Sequence, residues 1–419
     1  MKVLVNAYAC NPRHGSEEGV GWNWVRLIAQ FADPWVLVAS HHQPEIEDYL
    51  QKHAEELRNV RFLYVPHKPW HYQPTPGWRR IEDSVFKPMM NIAYALWLRD
   101  AFKLARRLHQ TERFDLTHQL TYVGFRFPGR LWKMNLPFVW GPVGGLENTP
   151  WRFLGVLGCR GAVYYAGRNL INSFQRITLR SSRKAFRKAQ AVIAATGGIQ
   201  QEIKRWYGVH SHVICEVGPP DCIAETILCR KPDEPLRLVW SGEHLPGKAL
   251  PLLLKALAKL PDDLSWQLDI LGEGPLSGNW RRLADELGIA GRCNWHGRLA
   301  RDRALAVMGA GHLFVITSLK DLTSTVLLEA LSLGLPVVCP DHCGFSDVVD
   351  SSCGHKLPLK SPQGLIQAYS EVIEKLAGDE QQRQTLANGA LCRAGVFSWE
   401  QKQVELEAIY KKALTLQSK

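Results

Sequence analysis

The sequence predicts an α/β protein built from two successive parallel sheets, and three observations carry that reading. Short apolar runs of strand length alternate with helix-length amphipathic segments over most of the 419 residues, the pattern of parallel sheets covered by helices on both faces. The alternation stops once, in a proline-rich stretch, and begins afresh after it. With 46% hydrophobic residues the chain is long and apolar enough for two or three domains with sizeable cores, which excludes a disordered tail protein.

In the first series, strands are expected at Val3 to Ala7, Trp35 to Ala39, Val60 to Val65, Phe114 to His118, Pro137 to Trp140, Ala191 to Ala195 and His212 to Val217. Helices fall between them, for example Gly19 to Phe31 and Asp83 to Leu108. The stretch VGPPDCIAETILCRKPDEP reads as the linker, because Pro219, Pro220, Pro232 and Pro235 deny helix and strand their amide donors. The second series runs through Leu236 to Ser241, Trp266 to Leu271, Cys293 to His296, Leu313 to Thr317 and Pro336 to Cys339. The closing segment FSWEQKQVELEAIYKKALTLQSK predicts a helix from about Trp399 that packs back onto the first domain. The domains are therefore expected at 1–220 and 221–395, with 396–419 as the returning helix.

Composition narrows the class further. The longest uncharged run, Ala304 to Leu319, has 16 residues and contains Gly, His, Thr and Ser, too short and too polar for a bilayer-spanning helix. Met1-Lys2 leads directly into the strand-like VLVNAYA, so no export signal is expected. Ten cysteines without a Cys-x-x-Cys pair predict reduced thiols in a cytoplasmic protein. The formal charge of +11 is concentrated: residues 151–190 hold nine Lys or Arg and no acid, leaving +2 for the other 379 residues. One basic block interleaved with Trp151, Phe153, Leu154, Val156, Leu157, Tyr164 and Tyr165 points to an anionic surface with an apolar component and away from nucleic acid.

Chemistry is carried by four segments. In TSLKDLTSTVLLEALSLGLPVV, Thr317 to Val338, a strand ends, small hydroxyl residues Thr323, Ser324 and Thr325 follow, and an apolar helix begins. Free amides at a positive helix end suit a phosphate. Asp321 sits in the entry loop and Glu329 eight positions later in the helix, where two carboxylates flanking a phosphate cradle bind sugar hydroxyls. In WSGEHLPGKALPLLLKALAKL, Trp240 to Leu260, a strand breaks at Gly242 and Lys248 stands near the start of a helix, placed to reach a diphosphate. At the amino terminus, VLVNAYACNP followed by RHGSEEGVGWNW brings Gly15, Gly19 and Gly21 to a strand-to-helix turn, where glycine permits close backbone approach. In FDLTHQLTYVGFRFPG, His118 closes a strand and Arg126 follows; WGPVGG, Trp140 to Gly145, also follows a strand.

Together these segments resemble the retaining glycosyltransferases of the GT-B fold, the large family-four group. The resemblance implies two Rossmann-like doubly wound domains facing across a cleft, the first for the acceptor and the second for a nucleotide sugar. By that likeness Asp321 contacts hydroxyls of the donor sugar and Glu329 the nucleotide ribose. Ser324 and Thr325 stand where the family presents Gly and a following residue to the diphosphate, so side-chain hydroxyls are expected to substitute. Lys248 matches the family's lysine, whereas Glu243 occupies its arginine position, which leaves Arg298, from WHGR, to supply the second cation. The likeness also places Glu17, Gly19 and Gly21 at the cleft and His118 near the donor sugar. No Asp-x-Asp triplet is present, so neither a metal nor another cofactor is expected, and a uridine donor is favoured over guanosine.

A helix over residues 170–188 would gather Leu170, Ile171, Phe174 and Ile177 on one side and Arg176, Arg180, Arg183 and Arg187 on the other, with Lys184 at the flank. Peripheral attachment to the anionic inner face of a membrane is the expectation, with the segment Trp151 to Tyr165 entering the headgroup region. The function expected is retaining transfer of a sugar from a nucleoside diphosphate to a hydroxyl of a lipid-linked or glycan acceptor in bacterial surface polysaccharide assembly. Two alternatives stand beside it: a GT-B-fold nucleotide-sugar epimerase, which needs no acceptor, and a non-catalytic basic module that binds membrane or nucleic acid without turnover.

Overall fold

The computed structural model describes residues 1–66, 82–220 and 223–416; residues 221–222 of the linker lie outside the described residues. Seven strands form the first sheet: β1 (Lys2–Ala7), β2 (Asp33–Ala39), β3 (Arg61–Val65), β4 (Leu116–Thr121), β5 (Phe138–Val143), β6 (Ala191–Ala194) and β7 (His212–Val213). Their order is β3-β2-β1-β4-β5-β6-β7. Every neighbouring pair is parallel. The apolar runs explain why. Alternate side chains of a strand point to opposite faces, so Val3 and Val5 share one core with Val36 and Val38, while Leu4 joins Leu37 and Trp35 in the other.

The second sheet holds β8 (Leu236–Ser241), β9 (Trp266–Leu271), β10 (Cys293–Gly297), β11 (Leu313–Val315), β12 (Val337–Pro340) and β13 (Gly354–Leu357). Its order is β10-β9-β8-β11-β12-β13, again parallel throughout. In each sheet the strand order reverses once, between β1 and β4 and between β8 and β11. Connections leave these two strand pairs in opposite directions, which opens a crevice at their carboxyl ends, the usual ligand position in open α/β sheets.

Three boundaries differ from expectation for local reasons. The strand expected from His212 to Val217 stops at Val213, because the carbonyls of Cys215 and Val217 accept from the Lys402 ammonium instead of a neighbouring strand. The edge strand β13 was not expected at all, since GHKL lacks a strand's apolar run. The helix expected over 170–188 is two helices, Gly158–Thr178 and Arg180–Lys188, broken at Leu179 with ψ 87°.

The final helix, Trp399–Thr415, returns to the first sheet, where Leu406, Ile409, Tyr410 and Ala413 join the core beside Val25 and Ile28. The segment Trp151 to Tyr165 instead reaches the second domain: Phe153, Leu157 and Tyr165 are buried in a cluster with Trp240 and Leu250. Gly247 admits Tyr165, because a Cβ there would lie 2.4 Å from the tyrosine hydroxyl. Those three side chains are therefore unavailable to a headgroup region. Among the described residues no helix is long and apolar enough to cross a membrane.

Candidate active site

The loops that leave the two switch points face one another and enclose two adjoining cavities. One, of about 530 Å³, lies between the turn after β1 (Arg13, Gly15, Gly19), the chain at Glu216, and Arg301, Thr325 and Glu329 of the second domain. The other, of about 580 Å³, is lined by Glu17, the loop after β4 with Tyr122 and Arg126, Arg168 of the Gly158–Thr178 helix, and Lys320 and Asp321. Most of these lining residues follow a buried strand or open the helix after it, whereas Arg168 and Glu329 project from within helices.

Thr325–Ser332 is the helix whose start the sequence marked as an anion site. Ser324 occupies its cap position with extended backbone and makes no side-chain cap hydrogen bond, so the helix start is not closed by its own hydroxyl. Thr325 lines the first cavity, and Glu329, one turn deeper, is buried and accepts from Arg301 Nε at 3.2 Å. Lys248 and Asp321 meet: Nζ lies 2.5 Å from Oδ2, with each side chain about one-fifth exposed. Thr317 fixes the pair from below by donating to the Lys248 carbonyl at 2.6 Å.

Several expected site residues stand elsewhere. His118 is fully buried; its Nε2 is 2.7 Å from the Gly141 carbonyl and its Nδ1 2.6 Å from the Tyr410 hydroxyl. That geometry gives a neutral ring that donates to Gly141 and accepts from Tyr410, and burial pushes its pKa down to about 4. It lines neither cavity, so it is a structural histidine and not the residue expected beside the donor sugar. Gly21 serves packing, since a Cβ there would lie 1.9 Å from the Ala9 carbonyl oxygen. Glu243 and Arg298 are exposed on their loops and line neither cavity; Arg301, which lines the first cavity with Arg13 and Arg26, is the cation paired with Glu329. Arg176, expected on a membrane-facing side, is buried, paired with Glu202 at 3.0 Å and bonded to the Leu146 carbonyl. Arg183 is half-buried, while Arg180, Lys184 and Arg187 are exposed.

Two buried carboxyls were not singled out as pH-sensitive. Glu17 accepts from the Val123 amide at 2.7 Å, and burial raises its pKa to about 7. Glu216 accepts from the Thr323 amide at 2.8 Å, leaving Oε2 without a partner, and burial likewise raises it to about 7. No local pattern marks Glu216, since Thr323 lies 107 positions away.

Residues 229–391 match the family model described as "Glycosyl transferases group 1". Full-length structural likeness comes from Anabaena Alr3699/HepE in complex with UDP (TM-score 0.60, 16% identity, 97% of this chain and 98% of that one). A second is the apo lipopolysaccharide outer core galactosyltransferase WaaB (TM-score 0.59, 15% identity, 100% of this chain and 99% of that one). The class is thus the GT-B glycosyltransferase fold. Within the second domain, residues 229–391 are similar to the group 1 glycosyltransferases. Curated relatives include the lipopolysaccharide core biosynthesis glycosyltransferase LpsE of Rhizobium meliloti, 27% identical over 51% of this chain and 62% of its own length. A D-inositol 3-phosphate glycosyltransferase of Stackebrandtia nassauensis is 30% identical over 47% of this chain and 46% of its own length. The lipopolysaccharide glucosyltransferase WaaG of Escherichia coli is 28% identical over 36% of this chain and 40% of its own length. The chain therefore spans about half the length of the curated relatives it matches.

Proposed function

We propose that the protein is a metal-independent, retaining glycosyltransferase that moves a sugar from a nucleoside diphosphate to a hydroxyl of a lipid-linked or glycan acceptor in bacterial surface polysaccharide assembly. One observation carries the reading: Asp321, paired with Lys248, lines one of two adjoining cavities between the domains, and the uncapped start of the Thr325–Ser332 helix with Glu329 lines the other. The names of the relatives support it, and the neighbouring HepE structure with UDP supports a uridine donor.

In this reading the helix start and Lys248 stabilise the negative charge that grows on the leaving diphosphate as the glycosidic bond breaks. Asp321 and Glu329 hold donor hydroxyls on either side. The acceptor oxygen attacks the face from which the diphosphate departs, its proton passes to the leaving phosphate oxygen, and the anomeric configuration is kept. No protein nucleophile takes part. The second part of the proposal is attachment to the anionic inner face of the membrane through the Gly158–Thr178 helix, supported by its exposed Leu170, Ile171, Phe174 and Ile177.

Donor hydrolysis tests the site. Lys248→Ala is expected to lower the rate by about 10²–10³, the usual loss for one charge-stabilising donor, and Glu329→Ala to weaken nucleotide binding, with both variants folded by circular dichroism. Undiminished turnover in both would remove the assignment.

A further inference from the structure

The second cavity is more positively charged than sugar transfer alone requires. Arg126 is held by neutral partners, donating from Nη2 to Asn172 Oδ1 at 2.6 Å and from Nε to Gln175, so its charge is not compensated. Its Nη1 faces Gly145, at 3.4 Å from where a Cβ would stand, and has no protein partner among the described residues. Arg168, on the same cavity wall, has neither an ion pair nor a hydrogen bond among the described residues. Lys320 donates to the Glu147 carbonyl at 2.5 Å, and the nearby Glu147 carboxylate offsets part of its charge, so the uncompensated cations are Arg126 and Arg168.

The acids on the wall do not balance Arg126 and Arg168. Asp321 is already paired with Lys248, and desolvation pushes the carboxyl of half-buried Glu17 up to about 7, towards its neutral form. The cations also strain one another: burial first, then Arg168 and Arg176, push the Arg126 pKa down to about 10. An anion among them relieves both costs. Tyr122, Phe127 and Tyr165 complete the wall with aromatic surface suited to a sugar ring.

We propose that the acceptor is an anionic glycan, its phosphate or carboxylate held by Arg126 and Arg168 beside the donor sugar. This rests on the glycosyltransferase reading above and deepens it by fixing the acceptor's chemical class. Arg168 lies on the helix that carries the exposed apolar stripe, so an acceptor anchored at a membrane reaches the cavity along that helix.

Titration calorimetry on the full chain saturated with UDP, or with GDP where UDP does not bind, tests the proposal. The probes are glucose 6-phosphate, glucuronate and glucose. At least one anionic sugar should bind about tenfold or more tightly than glucose, and whichever does so tells phosphate from carboxylate. Arg168→Gln, a change at an exposed position, should abolish that preference, as should Arg126→Gln, while Arg107→Gln, a cation that does not line the cavity, should leave it intact. Three results overturn the proposal: no anion preference in wild type, a preference that survives Arg168→Gln, or displacement of the anionic sugar by the nucleotide, which would assign the cations to the donor diphosphate. Binding of nucleotide without anion preference sinks this proposal alone; binding of neither nucleotide sinks the glycosyltransferase reading with it.

Discussion

Lys248 and Asp321 restrain each other. The ammonium sits 2.5 Å from one carboxylate oxygen, and in the proposed reading a diphosphate competes with Asp321 for Lys248, so drawing the lysine away frees Asp321 to accept a sugar hydroxyl. A doubly charged phosphate competes well for an ammonium, which makes the exchange favourable. The residue types and the eight-position spacing were legible in the sequence; the pairing was not, because 73 positions separate the two and no local pattern links them. His118 teaches the same lesson, since its partner Tyr410 lies 292 positions away and turns a plausible site histidine into a core one. Glu216 has a consequence in pH. Its folded pKa, raised from 4.5 to about 7, means that unfolding releases a proton between those values, so stability falls as pH rises through that window and is level above it. Urea denaturation at pH 5 and pH 8 should show the wild type losing about 3 kcal/mol more across that interval than Glu216→Gln, which keeps an acceptor for the Thr323 amide. Equal losses would show that Glu216 is not held protonated.

At the scale of elements, strands were legible because parallel sheets bury both faces and leave continuous apolar runs, as in β1 and β2. The Gly158–Thr178 helix was harder to read, since its periodicity gives an apolar side but not which side faces the protein. The structure puts polar Asn169, Asn172 and Arg176 inward, where they bond the 146–149 segment, and turns Leu170, Ile171, Phe174 and Ile177, each more than half exposed, outward. A cytosolic surface helix ordinarily does the reverse. Exposed Arg180, Lys184 and Arg187 follow on the next helix. Sedimentation with phosphatidylglycerol vesicles should therefore be lost in Leu170→Ser/Phe174→Ser/Ile177→Ser. It should weaken by about 100-fold when Arg180, Lys184 and Arg187 become Gln, at about 1 kcal/mol per cation. Unchanged partitioning of both variants would contradict membrane attachment.

For the whole molecule, function follows from how two similar sheets are held. Each supplies a crevice where its strand order reverses, and the crevices are locked face to face by contacts from both halves of the chain. Gly197 donates its amide to Asp347 at 2.7 Å, Lys320 bonds the Glu147 carbonyl, and Tyr165 fills the space over Gly247. The returning helix adds Lys402, buried against the carbonyls of Cys215 and Val217, so the link between domains is gripped from the carboxyl terminus. The two series of strands announced the architecture, but the crossing contacts join residues too far apart for periodicity to reveal. The central claim is that a nucleoside diphosphate lies in the resulting cleft. A crystal structure of the complex with UDP tests it most directly: the diphosphate should sit on the Thr325 helix start, the ribose on Glu329, and Lys248 should have left Asp321 for a phosphate oxygen. Nucleotide bound elsewhere, or bound there with the Lys248–Asp321 pair intact, would contradict the account.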